Sequence, residues 1–261
     1  MINRQEILES LRTGEDRMFV SKILDQTILS LKYHEIRFTH YLDPFQQKLV
    51  VGKLGLIPGL GMSFFGGYGE AERKLISFYP DYMTAESIKY PLSILQVSGT
   101  GLDKLSHRDF LGAILSLGIK REKIGDILVH ANLSYIFTMN DIAQYIIMNL
   151  SKVANTSVSI EEKSDSNILI PEKNFKEIHS TVASLRLDTV LSTALGCSRT
   201  KVLPLIQSEK VSVNWECIHS PSYILKEGDI ISVRGQGRVA LDYVGGLTRK
   251  ERISITVKRF I

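Results

Sequence analysis

Arg186, Ser198, Arg199, Thr200, Lys201, Lys210, Asn214, Arg234 and Arg238 are the residues of this chain best suited to a chemical task. Guanidinium and ammonium groups, small hydroxyls and an amide hold anions; they offer no nucleophile, base or metal ligand set. Charge counting points the same way. Residues 185–261 hold 12 Lys and Arg against 7 Asp and Glu, whereas the other 184 residues hold 20 against 21. The whole positive excess of a chain with net charge +4 therefore lies in its last third. That is the electrostatic footprint of a nucleic-acid-binding module.

The elements that must position these groups are short. Leu185, Leu187, Val190, Leu191, Ala194 and Leu195 form an apolar stripe at helical spacing, which Gly196 ends. Ser198 is placed to cap a second helix that buries Val202, Leu203 and Ile206, so Arg199 and Lys201 point outward from its first turn. Cations there oppose the helix dipole, a cost that makes sense if the free N–H groups and the cations share an anionic partner. Val211–Asn214 and Ile230–Val233 read as strands, with Gly228-Asp229 as a tight turn. Gly235 and Gly237 beside Arg234 and Arg238 permit close approach of backbone to a ligand. Duplex RNA is recognised mainly through shape, phosphate and 2′-hydroxyl, for which dispersed cations on a rigid scaffold suffice.

Upstream, 261 residues with 44% hydrophobic and 23% charged content suit two or three small globular domains. The first, 1–82, reads as mainly helical: Leu8, Leu11, Phe19, Ile23 and Leu24 recur at helical spacing, and Asp43-Pro44 starts a helix. Six glycines between positions 55 and 69 predict a loop, and Glu70-Ala-Glu-Arg-Lys predicts a renewed helix ended by Tyr79-Pro80. The second, 88–165, shows strand, helix, two strands, helix and strand, the ferredoxin-like βαββαβ layout shared by RNA-recognition motifs and many other domains. A polar stretch, 161–167, leads to the third, 181–261. The fold class is α+β. Cys197 and Cys217 read as buried, reduced thiols, and no leader-like or membrane-spanning run is present, which predicts a soluble, cytoplasmic protein without membrane insertion.

Several patterns that imitate active sites fail on inspection. His107-Arg108-Asp109 resembles a kinase catalytic loop, but Ile114 stands where its asparagine belongs, and Ser106 with Asp109 reads better as a helix start. Arg186-Leu-Asp resembles the catalytic run of pseudouridine synthases, yet Leu191-Ser-Thr follows and no catalytic domain has room. The six histidines form no metal-binding pair, and the glycine cluster holds no phosphate-loop spacing, so no cofactor, metal or small-molecule substrate is expected. Tyr135 and Phe137 could stack bases, but core packing is the favoured reading.

Arg-Leu-Asp-x-x-Leu (186–191), Ser-Arg (198–199), Leu-Ile (205–206), Val-x-Val-Asn (211–214) and Gly-Asp-x-Ile (228–231) resemble the S4 domain, an RNA-binding module of the alpha-L type. The resemblance implies RNA contacts from Arg186, Arg199, Lys201, Lys210 and Arg234, with Asp188 and Asn214 orienting helix and turn. Two departures stand out: Pro204 within the second helix, and Glu209-Lys210 where glycine is common. Phe65-Gly-Gly-Tyr, Ala71–Lys74, Leu105–Ala113, Leu117–Ile127 and Arg234-Gly-Gln-Gly-Arg further resemble the YlmH family, bacterial S4-domain proteins encoded near cell-division genes. That resemblance implies a non-enzymatic partner of rRNA and tRNA on a large ribosomal subunit holding a stranded peptidyl-tRNA, in ribosome-associated quality control. An RNA-modifying enzyme and a division-site interaction protein are the alternatives.

Overall fold

The computed structural model describes residues 4–11, 13–130, 132–163, 167–171 and 174–260. Residues 164–166 of the predicted polar connection lie outside these. The chain divides into two compact units, Met1–Pro171 and Glu172–Ile261.

The first unit begins with α1 (Arg4–Glu9), α2 (Gly14–Tyr33), β1 (Arg37–Phe38), α3 (Pro44–Leu54), β2 (Leu60–Phe65) and β3 (Leu75–Pro80). Thr13 caps α2 by accepting from the Asp16 N–H at 3.0 Å. Asp43 and Gln46 form a reciprocal capping box around Pro44 at the start of α3. The strands pair antiparallel in the order β1-β3-β2. This sheet corrects two expectations. The glycine cluster is not all loop, because β2 runs through its middle, and Ala71–Lys74 starts no helix but leads into β3. All six residues of β3 are buried. Ile76 and Phe78 face Val20, Ile23, Leu24, Val50 and Leu54 from the helices, and Leu75 faces the other way, into a cluster with Tyr41 and Phe137.

The same unit continues with β4 (Leu92–Ser98), α4 (His107–Ser116), β5 (Ile124–Val129), β6 (Leu133–Met139), α5 (Asn140–Asn149), β7 (Lys152–Val153), β8 (Thr156–Ser157) and β9 (Ser159–Glu162). Ser106 donates to Asp109 Oδ2 through its N–H at 2.8 Å and its hydroxyl at 2.7 Å, so Asp109 completes a helix start. Those bonds hold the Asp109 carboxyl below its ordinary range. Met139 occupies the N-cap position of α5. The four-stranded sheet has the order β5-β6-β4-β9, the second, third, first and fourth strands of the βαββαβ series, all antiparallel. One face packs Leu95, Val97, Ile127 and Ile136 against Phe110, Ile114, Ala143 and Ile146 of the two helices.

The second unit consists of β10 (Phe175–Val182), α6 (Leu187–Leu195), α7 (Arg199–Gln207), β11 (Val211–Val213), β12 (Glu216–Cys217), β13 (Ile230–Val233), β14 (Gly237–Leu247) and β15 (Ile253–Phe260). Its six strands pair antiparallel in the order β10-β15-β14-β13-β11-β12. Val190, Leu191, Val202 and Ile206 of the helices share one core with Val211, Val213, Ile231, Val233, Val239, Leu241, Ile255 and Val257. The alternate residues of those strands therefore face away from the helices. Gly196 ends α6 at φ +63°. The thiols are free, but Cys217 is exposed on edge strand β12 and Cys197 is only partly buried, which corrects the expectation of two buried cysteines.

Candidate nucleic-acid interface

Two surfaces were open to a nucleic acid on sequence grounds: the middle sheet with Tyr135 and Phe137, and the basic groups of residues 186–238. The structure closes the first. Tyr135 is 2% and Phe137 0% exposed, on the sheet face opposite α4 and α5. Tyr41, Leu75, Tyr68 and Tyr90 cover that face, with the Tyr68 and Phe137 rings 5.1 Å apart. Gly67, at φ +105°, lies against Phe137 so closely that a Cβ would sit 2.3 Å from the ring. Part of the glycine cluster is thus a packing device.

A polar hub fixes this cover. Asp126 accepts from the Glu72 N–H at 2.7 Å, the Arg73 N–H at 3.1 Å and the Tyr68 hydroxyl at 2.9 Å. Arg73 donates to the carbonyls of Ile124 and Tyr41, and Arg121 to those of Ile124 and Gly125. Burial, with Arg73 nearby, pushes the Arg121 guanidinium down to about 10. Both arginines line a cleft of about 830 Å³ with His40, Asp43, Lys120 and Glu122, yet their donors serve backbone carbonyls. They read as struts.

The basic groups of residues 186–238 belong to the second unit. Arg186 precedes α6 and donates through Nε and one terminal nitrogen to the two oxygens of Asp188, each at 3.1 Å. Asp188 is 4% exposed. Burial alone would push its carboxyl up, but the Arg186 bonds and charge, with Arg199 and the Thr189 hydroxyl, outweigh this and hold it low. Arg199 donates to the Thr189 hydroxyl. A chain Arg186–Asp188–Thr189–Arg199 therefore joins the starts of the two helices. Arg199 is exposed but reaches back to α6 and does not simply point outward.

The helix starts differ. The Leu187 and Asp188 N–H groups donate to the carbonyls of Tyr223 and Pro221, at 2.8 and 3.1 Å, which occupies the beginning of α6. At α7 the Arg199 and Thr200 N–H groups have no hydrogen-bond partner among the described residues. Ser198 occupies the N-cap position without capping the backbone, since its hydroxyl pairs with that of Thr200 at 2.7 Å. Of these two helix starts, that of α7 has N–H groups without a partner among the described residues, flanked by cations.

Lys201, Lys210 and Arg234 are exposed, and their side chains pair with none of the described residues. The Arg234 N–H donates to the Lys210 carbonyl at 2.8 Å, so these two cations sit side by side. Glu209 adopts φ +58° and closes α7 as glycine would: its N–H reaches the Ile206 carbonyl and that of Lys210 reaches Leu205. Pro204 stays within a continuous α7.

Two residues lie apart from the helix starts. Asn214 is used up by the fold: its amide donates to Asp229 Oδ1 at 2.8 Å and accepts the Ile230 N–H at 3.0 Å. Arg238 precedes buried Val239 and pairs across β13 and β14 with Ser232, which stands between buried Ile231 and Val233, so it lies on the sheet face away from the helices. Its guanidinium sits 5.3 Å from the centre of the Trp215 ring. Trp215 and the Asp188–Thr189 link escaped the sequence reasoning; the signal was a bulky residue directly after Asn214 in a hairpin turn. Among the described residues no group of three His, Cys, Asp or Glu could hold a metal, and no helix is long and apolar enough to cross a membrane.

Helix pair, sheet and exposed cations define a protein that carries an S4 domain, and the S4 family model matches residues 185–231. A second model, described as "putative RNA-binding domain in YlmH", matches residues 86–167. The chain is 32% identical to ribosome-associated protein quality control protein P2 of Bacillus subtilis over 94% of its own length and 95% of that protein's. The cell division protein ylmH from Streptococcus pneumoniae is structurally similar at a TM-score of 0.50 and 26% identity, over 59% of this chain and 94% of that one. Small ribosomal subunit protein uS4 of Lachnospira eligens is 38% identical over 23% of this chain and 30% of its own. The chain belongs to the YlmH family.

Proposed function

We propose that this protein is a non-catalytic RNA-binding protein that grips structured rRNA and tRNA through its S4 unit, in the cytoplasm. Its site of action is the large ribosomal subunit that still carries a peptidyl-tRNA, in ribosome-associated quality control. One observation carries the reading: Lys201 in the first turn of α7, beside N–H groups without a partner among the described residues, and Lys210 and Arg234 at the far end of that helix all stand exposed and unpaired by the described residues. The name of the Bacillus subtilis relative supplies the ribosomal setting. The covered middle sheet counts against a stacking platform there, so the grip falls to the second unit.

The test mixes the purified full chain with large ribosomal subunits, with and without bound peptidyl-tRNA, and sediments the mixture. Co-sedimentation that is stronger with peptidyl-tRNA is expected. Absence from both pellets overturns the reading. A modified nucleoside appearing in the RNA would transfer the protein to the RNA-modifying class.

A further inference from the structure

The one tryptophan of the chain, Trp215, occupies a position where its backbone would favour glycine. Val213 pairs with Glu216, so β11 and β12 are joined by the two-residue loop Asn214-Trp215, with φ +49° and +69°. Positive φ at both loop residues is the type I′ arrangement, for which Asn-Gly is the preferred pair. Asn214 fits that geometry and is clamped to Asp229 and Ile230. Trp215 does not fit, because a bulky side chain is disfavoured at positive φ. Such strain persists where surrounding structure enforces it, and it concentrates at ligand-holding sites.

The indole is half-buried, beside Arg238. Across the sheet, Ser212, Ser232 and Arg238 form one register row facing away from α6 and α7, with Ile230 and Ala240 forming the next pair on the same face. Ser212 and Ser232 in this row are small, and the Trp215 ring and the Arg238 guanidinium meet on this face. An aromatic ring with a guanidinium on an otherwise low sheet surface is how proteins stack single-stranded bases.

We propose that Trp215 and Arg238 form a stacking platform for one unpaired nucleobase of RNA. It lies on the sheet face opposite the helices, so the unit would hold structured RNA at the start of α7 and a single-stranded nucleotide across the sheet. This inference rests on the RNA-binding reading and adds to it a second contact of different chemistry. The net charge of +5 over residues 185–261 favours RNA as occupant over an acidic or neutral apolar partner.

Because Trp215 is the chain's sole tryptophan, intrinsic fluorescence reports on this site alone. The full chain is titrated with a synthetic RNA hairpin bearing a single-stranded oligouridine extension, and with the same hairpin made blunt. Quenching is expected with the extended RNA and not with the blunt one. Trp215→Gly creates the Asn-Gly turn the backbone prefers, so the variant keeps its fold. It should weaken binding of the extended RNA by roughly 5- to 100-fold, leave the blunt hairpin unaffected, and be largely rescued by Trp215→Phe. Salt-sensitive binding of both RNAs by the wild type, with unchanged fluorescence and unchanged affinity in Trp215→Gly, overturns the platform and leaves the RNA-binding reading intact. Equal losses for both RNAs, with a lowered melting temperature, overturn it in favour of a structural tryptophan. No binding of either RNA by the wild type removes the reading itself, and the platform with it.

Discussion

At the scale of single residues, Asp188 shows how a carboxylate can serve a cationic site without touching the ligand. Buried beneath the helix starts, it holds Arg186 by a two-pronged contact and takes the hydroxyl of Thr189, which in turn receives Arg199. Its folded pKa lies below its unfolded value of about 3.9. The stability it contributes is therefore complete above about pH 4 and is lost as pH falls through the folded value. Asp188→Asn should destabilise the protein by about 1–3 kcal/mol at neutral pH, toward the lower end because Arg186 is 40% exposed and screened. Denaturant melts in a pH series should show the gap between wild type and variant shrinking below about pH 4; a pH-independent gap would show that the charge is not what matters. Glu209 makes the opposite case, a residue whose backbone the fold must force. Its φ of +58° in the closing turn of α7 costs an L-residue about 1–2 kcal/mol. Glu209→Gly should raise stability by about 1 kcal/mol, read as a shift in denaturant midpoint at constant slope.

Among the elements, the middle sheet decides where RNA cannot stack. Phe137→Ala should cost about 3–5 kcal/mol, since it empties the contact among β6, Tyr68 and Gly67. The folded variant, assayed below its melting temperature, should bind structured RNA with unchanged affinity. A weakened affinity at unchanged stability would restore the stacking role to this face. Which elements were legible follows from where their determinants lie. Helix ends with local chemistry, Asp43-Pro44, Ser106 with Asp109, and Gly196, stand in the structure as the sequence predicts. Strands β2 and β3 were hidden because their cause is distant. Ala71–Lys74 has the composition of a helix, but its N–H groups at Glu72 and Arg73 bond to Asp126, more than fifty residues away. β3 is buried on both faces, so its apolar run lacks the alternation that marks a strand. For the site, residue types were legible and partners were not. Nothing in the order Arg-Leu-Asp-Thr says that Arg186 turns back on Asp188, and alternation along a strand shows Arg238 facing away from the helices only once Val239 is known to be core.

For the molecule as a whole, charge is divided by sequence position: +5 over residues 185–261 and −1 over the rest. A near-neutral larger part adds little non-specific attraction, so the salt dependence of RNA binding should count phosphates held by the S4 unit alone. If Arg199, Lys201, Lys210 and Arg234 each neutralise one phosphate, log affinity should fall against log salt with a slope of roughly −2.8 to −3.6. Raising salt fourfold would then weaken binding by roughly 50- to 150-fold. Removing Arg199 and Lys201 together by alanine substitution should reduce the slope by roughly 1.4–1.8, while the melting temperature falls only slightly, since Lys201 has no side-chain partner among the described residues and Arg199 has just Thr189. Titrations at several salt concentrations separate this from the competing arrangement. A slope much steeper than that of four contacts would mean that lysines and arginines of the first unit also meet RNA. An unaltered slope in the double variant would move the phosphates away from the start of α7, to Lys210 and Arg234 at its far end.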